Sequence, residues 1–510
     1  MGGPIFDTYR AVYQYMTYCV RVEKDYSGLF SSDMGVLIGD PASPIMWLLY
    51  FADVDIPATD QDIVLDGTRI SHLEQADDIV IFATSAAALQ EKLDAFFAWC
   101  CRNLLRINGR KSWWMPLGAR PREIPVLDIN GDPVPMEEQK LYVGMLLTSS
   151  LAHDQRAHVA AKVDKAHRIS CLTFGILDRK CLELPPRPAR KLYMGLVDPH
   201  MTHGCEVLPD STLSGTEHLE RVQKMYLRKM LRVGPKTCVV PLYTETGISP
   251  IRYRRADLAV RFLGYTLQQP QGDLVRCAVM DSRELAQAGK RSWFGDLRKA
   301  CARLPGGGVD IGFPDSADAV DGLRTMLKED ERAYLHRTTD QCRKLPLLSG
   351  RLHEKCFSQQ APRPAPTCVF RTYLKITAPD HRKALTRFLL SDHMLAIERL
   401  RYENVPRGER RCRFCDDAVE DELHALFECD GQAELAAHRL ELMSNVLRVK
   451  GEDAVARLQR SDLETVFQIT VSPGTDGKLP DTIRFPDASP PFAGKVRNRT
   501  DHPGTEFIRM

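Results

Sequence analysis

The chain has 510 residues, of which 44% are hydrophobic and 27% charged, with a formal net charge of +2. At roughly 150 residues per domain this gives room for about three domains with ordinary cores, and near-neutrality excludes a global basic field, so a nucleic-acid partner would be met by local basic surfaces. The longest apolar stretch, 45–51, is too short to span a bilayer, and residues 1–10 lack the basic start and apolar run of a secretory signal.

Residues 8–22 carry apolar and aromatic side chains at helical spacing. Asp40 followed by Pro41 reads as an N-cap and first helical position, which predicts a helix over 41–53. Asp66-Gly67 is a two-residue turn signal between the runs 63–65 and 69–73. Strand-like runs 70–74 and 79–83 then bracket Ala76-Asp77-Asp78. Leu89, Leu93, Phe96, Phe97, Cys100 and Leu104 recur at helical spacing over 86–104, and 105–107, 113–116 and 141–146 read as short strands. Residues 1–150 are thus expected to form a compact mixed sheet with helices on one face, so the fold class is α+β.

Four helices are expected beyond residue 150, at 160–177, 189–207, 216–233 and 250–267. The third is clearest, with Leu219, Val222, Tyr226, Met230 and Val233 on one stripe. Residues 268–375 carry no readable motif and are expected to be helical or irregular, with a proline-rich hinge at 359–367. A helix over 381–402 should lead into a cysteine-histidine cluster within 376–435. Within 436–510, two short helices and a disordered tail from 471 complete the reading.

Ala76-Asp77-Asp78 is awkward for stability, because like charges this close repel. Such a turn makes chemical sense against a divalent cation, as in nucleotidyl transfer by two metals about 3.5–4 Å apart. Asp77 is the better-placed ligand and Asp78 supports it; the alternative is an ordinary acidic turn. About 37 residues upstream lies Gly35-Val-Leu-Ile-Gly-Asp-Pro-Ala-Ser-Pro44. Gly39 would let backbone approach a base pair or template strand closely, with Ser43 beside it on the first helical turn, or the block is simply a loop entering a helix.

Cys412-x2-Cys415-x8-His424-x4-Cys429 supplies three thiolates and one imidazole, a closed set suited to structural Zn²⁺. The remaining cysteines of the fifteen read as packing residues in a reducing interior, nuclear or cytoplasmic. Around the cluster Arg399, Arg401, Arg407, Arg410, Arg411 and Arg413 are interleaved with Tyr402 and Phe414. Arginines pair with phosphates and aromatics stack on bases; a solvated basic face is the alternative.

Taken in order, these motifs resemble the palm of reverse transcriptases from non-LTR retrotransposons of the long interspersed type. The block at 35–44 is similar to the family's glycine-aspartate-proline motif beside template and nucleotide, and Ala76-Asp77-Asp78 to its metal-binding box, although Gln75 stands where the family has Phe or Tyr. Residues 105–111 resemble the next block, and Leu141-Tyr142-Val143-Gly144 the primer grip. The resemblance implies an RNA template and a DNA primer as partners, Mg²⁺ on Asp77 and Asp78, and Gly39, Asp40, Ser43 and Lys111 near template and nucleotide. It also implies a helical thumb over 151–267, and the cluster at 412–429 is similar to the family's carboxy-terminal zinc knuckle. The family's first catalytic Asp belongs to an upstream strand that the residues before Thr8 do not supply. The chain alone is therefore expected to be a defective polymerase, unless a second chain provides that strand.

Overall fold

Tight turns decide the local structure of the amino-terminal part. The structure is a computed structural model that describes residues 2–32, 35–37, 39–118, 123–149, 155–181, 184–349 and 368–450, so the expected hinge at 359–367 and tail from 471 lie outside the described residues. The chain divides into two units, Met1–Gln139 with Ser149–Leu151, and Lys140–Thr148 with Ala152–Met510.

In the first unit, α1 spans Pro4–Gln14. The helical pattern expected to reach residue 22 stops there, because Thr17, Tyr18, Val20 and Val22 favour extended backbone. Strand β1 (Arg21–Val22) accordingly pairs with β2 (Asp25–Tyr26). Helix α2 covers Ser43–Phe51. It starts two residues later than expected, since the Asp40 carboxylate accepts from the Ala42 N–H (3.2 Å) and closes a turn first. β3 (Ile63–Leu65) and β4 (Thr68–Ile70) meet across Asp66-Gly67, both at positive φ, as the sequence predicts. β5 (His72–Gln75) and β6 (Asp78–Ile81) follow. Helix α3 (Ala86–Arg102) is capped by the Ser85 side chain, which accepts from the Ala88 N–H.

The strand expected at 105–107 is irregular, and of 113–116 only Trp114 makes a bridge, to Met136. The hairpin lies later, β7 (Leu127–Ile129) with β8 (Asp132–Val134), across Asn130-Gly131. The expected continuous mixed sheet does not form. Among the described residues each strand pairs only with its neighbour in sequence, in two-stranded ribbons, because two-residue turns join strands only two to four residues long. The core is instead held by helices: Phe51 of α2 packs edge-on to Trp99 of α3 at 5.1 Å, with Phe96, Ile56 and Cys100 buried and Ile79, Ile81, Leu105 and Ile107 against them.

Apart from its first residue, β9 (Gln139–Tyr142) belongs to the second unit, as does β10 (Met145–Thr148). The single strand expected at 141–146 folds back on itself because Val143 and Gly144 both take positive φ. Helix α4 (Gln155–Cys181) precedes α5 (Pro186–Leu192), which passes through a π-helical turn at Tyr193–Val197 into α6 (Asp198–Thr202). The break in the helix expected over 189–207 has a cause: Pro199 has no N–H to offer a carbonyl one turn back. Then come α7 (Leu213–Leu231), α8 (Val240–Thr246) and α9 (Ile251–Gln268). The α7 stripe is buried throughout, from Leu219 to Val233. Tyr226 lies 5.2 Å from Tyr193 and 4.8 Å from Phe174. The buried Gln223 amide donates to Tyr193 Oη and the Ser249 carbonyl and accepts the first N–H of α9.

Helices α10 (Leu274–Gln287), α11 (Trp293–Ala302) and α12 (Ala317–Asp340) form a second core around Phe294 and Leu297 against α9. Helix α13 (Pro379–Leu389) stops short of the expected 402. Ser391 turns at positive φ, and Asp392 accepts from the Gly234 N–H (2.8 Å) while pairing with Arg387. α14 (Ala396–Arg399) and a 3₁₀ turn at Leu400–Glu403 resume the coil. Of the two short helices expected within 436–510, the described residues hold one, α15 (Ala433–Lys450), and the rest of that range lies outside them.

A buried ion pair braces the first unit. Lys92 of α3 reaches Asp62 with both side chains fully buried, and also donates to the Phe82 carbonyl (2.7 Å). Lys92→Met strands that carboxylate and should destabilise the unit by about 3–5 kcal/mol. Four of the five tryptophans belong to this unit (Trp47, Trp99, Trp113, Trp114), so urea unfolding followed by tryptophan emission should move to lower urea. Burial pushes the Asp62 carboxyl up, but hydrogen bonds from Lys92 and Thr59 leave it below its ordinary 3.8. Its contribution is therefore present above that value and lost as pH falls through the lowered pKa, so acid should erode the parent's advantage over Lys92→Met.

Candidate functional site

The carboxylate turn is built from behind. Gln75 and Asp78 form the last pair of the β5–β6 ribbon, and Ala76 turns the chain at φ 55°. Period-two alternation sends Ile79 and Ile81 to the core. Asp77 and Asp78 are exposed, and neither side chain makes an ion pair or hydrogen bond among the described residues. The Ala76 carbonyl accepts from the Trp47 indole N–H at 2.7 Å. Trp47 lies on α2, so the helix that follows the Gly39-Asp40-Pro41 block reaches the turn before Asp77 and Asp78 directly. Sequence reading missed Trp47; the signal was an indole N–H in an apolar helix, which needs an acceptor.

Gly39 sits at φ 92°, a conformation that demands glycine, and an added Cβ would meet nothing within 4 Å. Ser43 is buried and donates to the Leu37 carbonyl (2.6 Å), while the Leu37 N–H donates to Tyr13 Oη (2.9 Å). An open cleft of about 640 Å³ is lined by Thr8, Tyr9, Val12, Leu37, Gly39 and Asp40. Lys111 stands on an exposed turn, its N–H bonded to the Asn108 carbonyl, and its ammonium has no partner among the described residues. Asp77 and Asp78 also lack company: among the described residues, no third carboxylate, histidine or cysteine groups with them.

The β9–β10 turn belongs to the second unit. Leu141 and Val143 are exposed and Tyr142 is half-buried. Lys162 of α4 donates to the Gly144 carbonyl (3.1 Å), and a Cβ at Gly144 would fall 2.9 Å from His203 Nε2.

The cysteine-histidine set converges. The ligand atoms of Cys412, Cys415, His424 and Cys429 all lie within 4.8 Å of one another. Cys412 Sγ is 3.6 Å from Cys429 Sγ, and Cys415 Sγ is 3.4 Å from His424 Nε2. A tetrahedron with metal–sulfur bonds of about 2.3 Å has edges of about 3.8 Å, so the donors and their spacing fit one Zn²⁺. Backbone N–H groups of Ala418 and Asp417 pull the Cys415 thiol down to about 7, whereas burial raises Cys429 to about 11. A π-helical turn at His424–Glu428 carries the imidazole, and the Cys429 N–H donates back to the His424 carbonyl. Buried Glu420 ties the halves together: it accepts from Arg413 (2.6 Å) and from the Ala396 N–H (2.7 Å). The backbone of Gly431 lies against the first loop, where a Cβ would fall 2.5 Å from the Phe414 carbonyl and 2.7 Å from the Cys415 nitrogen.

The arginines divide by role. Arg410 donates to the Ile397 and Val405 carbonyls, Arg411 to the Asp417 carbonyl, and Arg413 to Glu420 and the Met394 carbonyl. These three hold the loops. Arg399 pairs with Glu403, Arg401 with Glu398 and the Tyr402 hydroxyl, and Arg407 is exposed.

No family model matches the chain. Over 276 residues it is 24% identical to an RNA-directed DNA polymerase from mobile element jockey of Drosophila funebris, a match covering 53% of this chain and 28% of the relative. Its relatives are RNA-directed DNA polymerases. It is 23% identical over 235 residues to a probable RNA-directed DNA polymerase from transposon BS of Drosophila melanogaster (44% of this chain, 25% of the relative). It is 25% identical over 234 residues to another from transposon X-element of the same species (44% and 24%). The chain spans about a quarter of the length of these curated relatives. Among the described residues no helix is long and apolar enough to cross a membrane.

If the four-donor set holds a structural ion, the purified chain should carry about one zinc per molecule by elemental analysis. Cys415→Ser should lose most of it, and chelation should render the 396–450 region sensitive to protease.

Proposed function

We propose that this chain is part of a retrotransposon reverse transcriptase, an RNA-directed DNA polymerase. In this reading 1–150 is a partial palm, 151–267 a thumb, 268–375 a helical or irregular region of unassigned role, and 376–435 a helix with a zinc knuckle, followed by 436–510. One observation carries it: Trp47 joins the helix of the glycine-aspartate-proline block to the turn bearing Asp77 and Asp78. Two motifs far apart in sequence thereby share one rigid support, which is what positioning a template beside metal-bound phosphate requires. Asp77 and Asp78 would hold Mg²⁺, which when bound neutralises charge on a triphosphate and lowers the pKa of an attacking hydroxyl. Open space beside Gly39 would admit a nucleic-acid strand, Ser43 would fix the loop that carries it, and Lys111 would meet the nucleotide. Leu141, Tyr142, Val143 and Gly144 would hold the primer end.

Two exposed carboxylates on one turn are half of a two-metal site, so the chain by itself is read as inactive unless a second chain supplies an acidic strand. A second reading is a zinc-stabilised RNA- or DNA-binding protein without catalysis. It is favoured by the contrast between a complete four-donor cluster and an incomplete carboxylate pair.

Purified chain should extend no primer on an RNA template with Mg²⁺ or Mn²⁺, and Asp77→Ala should change nothing. It should bind an RNA–DNA hybrid with an affinity that falls as salt rises. Extension abolished by Asp77→Ala would overturn the claim of inactivity; no hybrid binding at low salt would overturn the polymerase reading.

A further inference from the structure

The reading of the chain as a nucleic-acid binder leaves open where an unpaired strand would lie, and a contact between distant segments answers it. Tyr402, on the 3₁₀ turn after α14, is 55% exposed. Arg401 stands over its ring with Cζ 4.9 Å from the centroid and donates to its hydroxyl. The ammonium of Lys236 comes from the α7–α8 loop, 166 positions earlier (402 less 236), and stands 4.4 Å from the same centroid. That approach is fixed by backbone: the Gly234 N–H donates to Asp392, and the Arg228 guanidinium donates to the Thr237 carbonyl. Glu398 pairs with both Arg401 and Lys344 at 3.3 Å, and Lys236 adds a third cation beside the ring.

We infer that Tyr402 is a stacking platform for one base of a single-stranded nucleic acid, with Lys236 taking the adjoining phosphate. An exposed ammonium over a phenol ring is held weakly, whereas a base stacked on an aromatic is held more strongly. A strand would therefore displace Lys236 from the ring onto its own backbone. Every base has a π-face, so the platform is indifferent to sequence. The hydroxyl, committed to Arg401, sets the ring's orientation rather than reading the base.

The test uses the full zinc-loaded chain and fluorescence anisotropy with labelled oligouridine RNA and oligothymidine DNA of about twelve nucleotides. Tyr402→Ala should weaken binding roughly tenfold without changing its dependence on salt. Tyr402→Phe should bind as the parent does. Lys236→Met should reduce the slope of log affinity against log salt by about 0.7, the signature of one lost phosphate contact on a single strand. Equal binding of the two oligomers assigns the platform to either strand, and preference for one assigns it to that strand. Parent-like binding by Tyr402→Ala, or an equal loss in Tyr402→Phe, overturns the platform while leaving the wider reading intact. A parent that binds neither oligomer but still binds the hybrid also overturns it, and one that binds no nucleic acid at all overturns both.

Discussion

Two carboxylates on consecutive residues repel each other, and the shape of the Asp77-Asp78 turn depends on how that repulsion is tolerated. Asp77 and Asp78 are left in water, where a high dielectric mutes the repulsion. The turn's shape is set by groups that carry no charge: a left-handed Ala76, an indole from α2 on its carbonyl, and Ile79 and Ile81 drawn into the helical core. Support from apolar and neutral polar groups leaves the lone pairs of both aspartates uncommitted. A salt bridge would have stabilised the turn but taken up those lone pairs.

The cluster in the second unit solves the opposite problem. Its ligands point inward, close on one another and are mostly buried. Three thiols this close could all ionise only beside a counter-charge, and N–H donors to Cys415 supply part of one. The surrounding arginines are consumed by that architecture, with Arg410, Arg411 and Arg413 bonded to carbonyls or to Glu420. The basic run in the sequence is thus two populations, one structural and one facing solvent.

How much of this was legible in the sequence follows from the range of the forces involved. Turns set by two residues, such as Asp66-Gly67 and the carboxylate tip, were readable because φ preference is local. So was the α7 stripe, whose period is its signature. Asn130-Gly131 carried the same kind of signal and was passed over. Strand pairing beyond hairpins is not legible, because alternation shows a face and not a partner. The helix over 381–402 failed for a related reason: Asp392 serves Gly234, 158 positions away in sequence, and no window contains both. Trp47, Lys92 with Asp62, and Lys236 over Tyr402 are likewise long-range facts, each visible only once distant segments have met.

Gly431 makes closure of the four-donor cluster depend on a residue that donates nothing. Its α-carbon abuts the first loop so tightly that even a methyl group would collide with peptide atoms of Phe414 and Cys415. Alanine at that position would push the two loops apart, although it removes no donor. The Cys and His spacing would survive unchanged, so spacing alone would not reveal the damage.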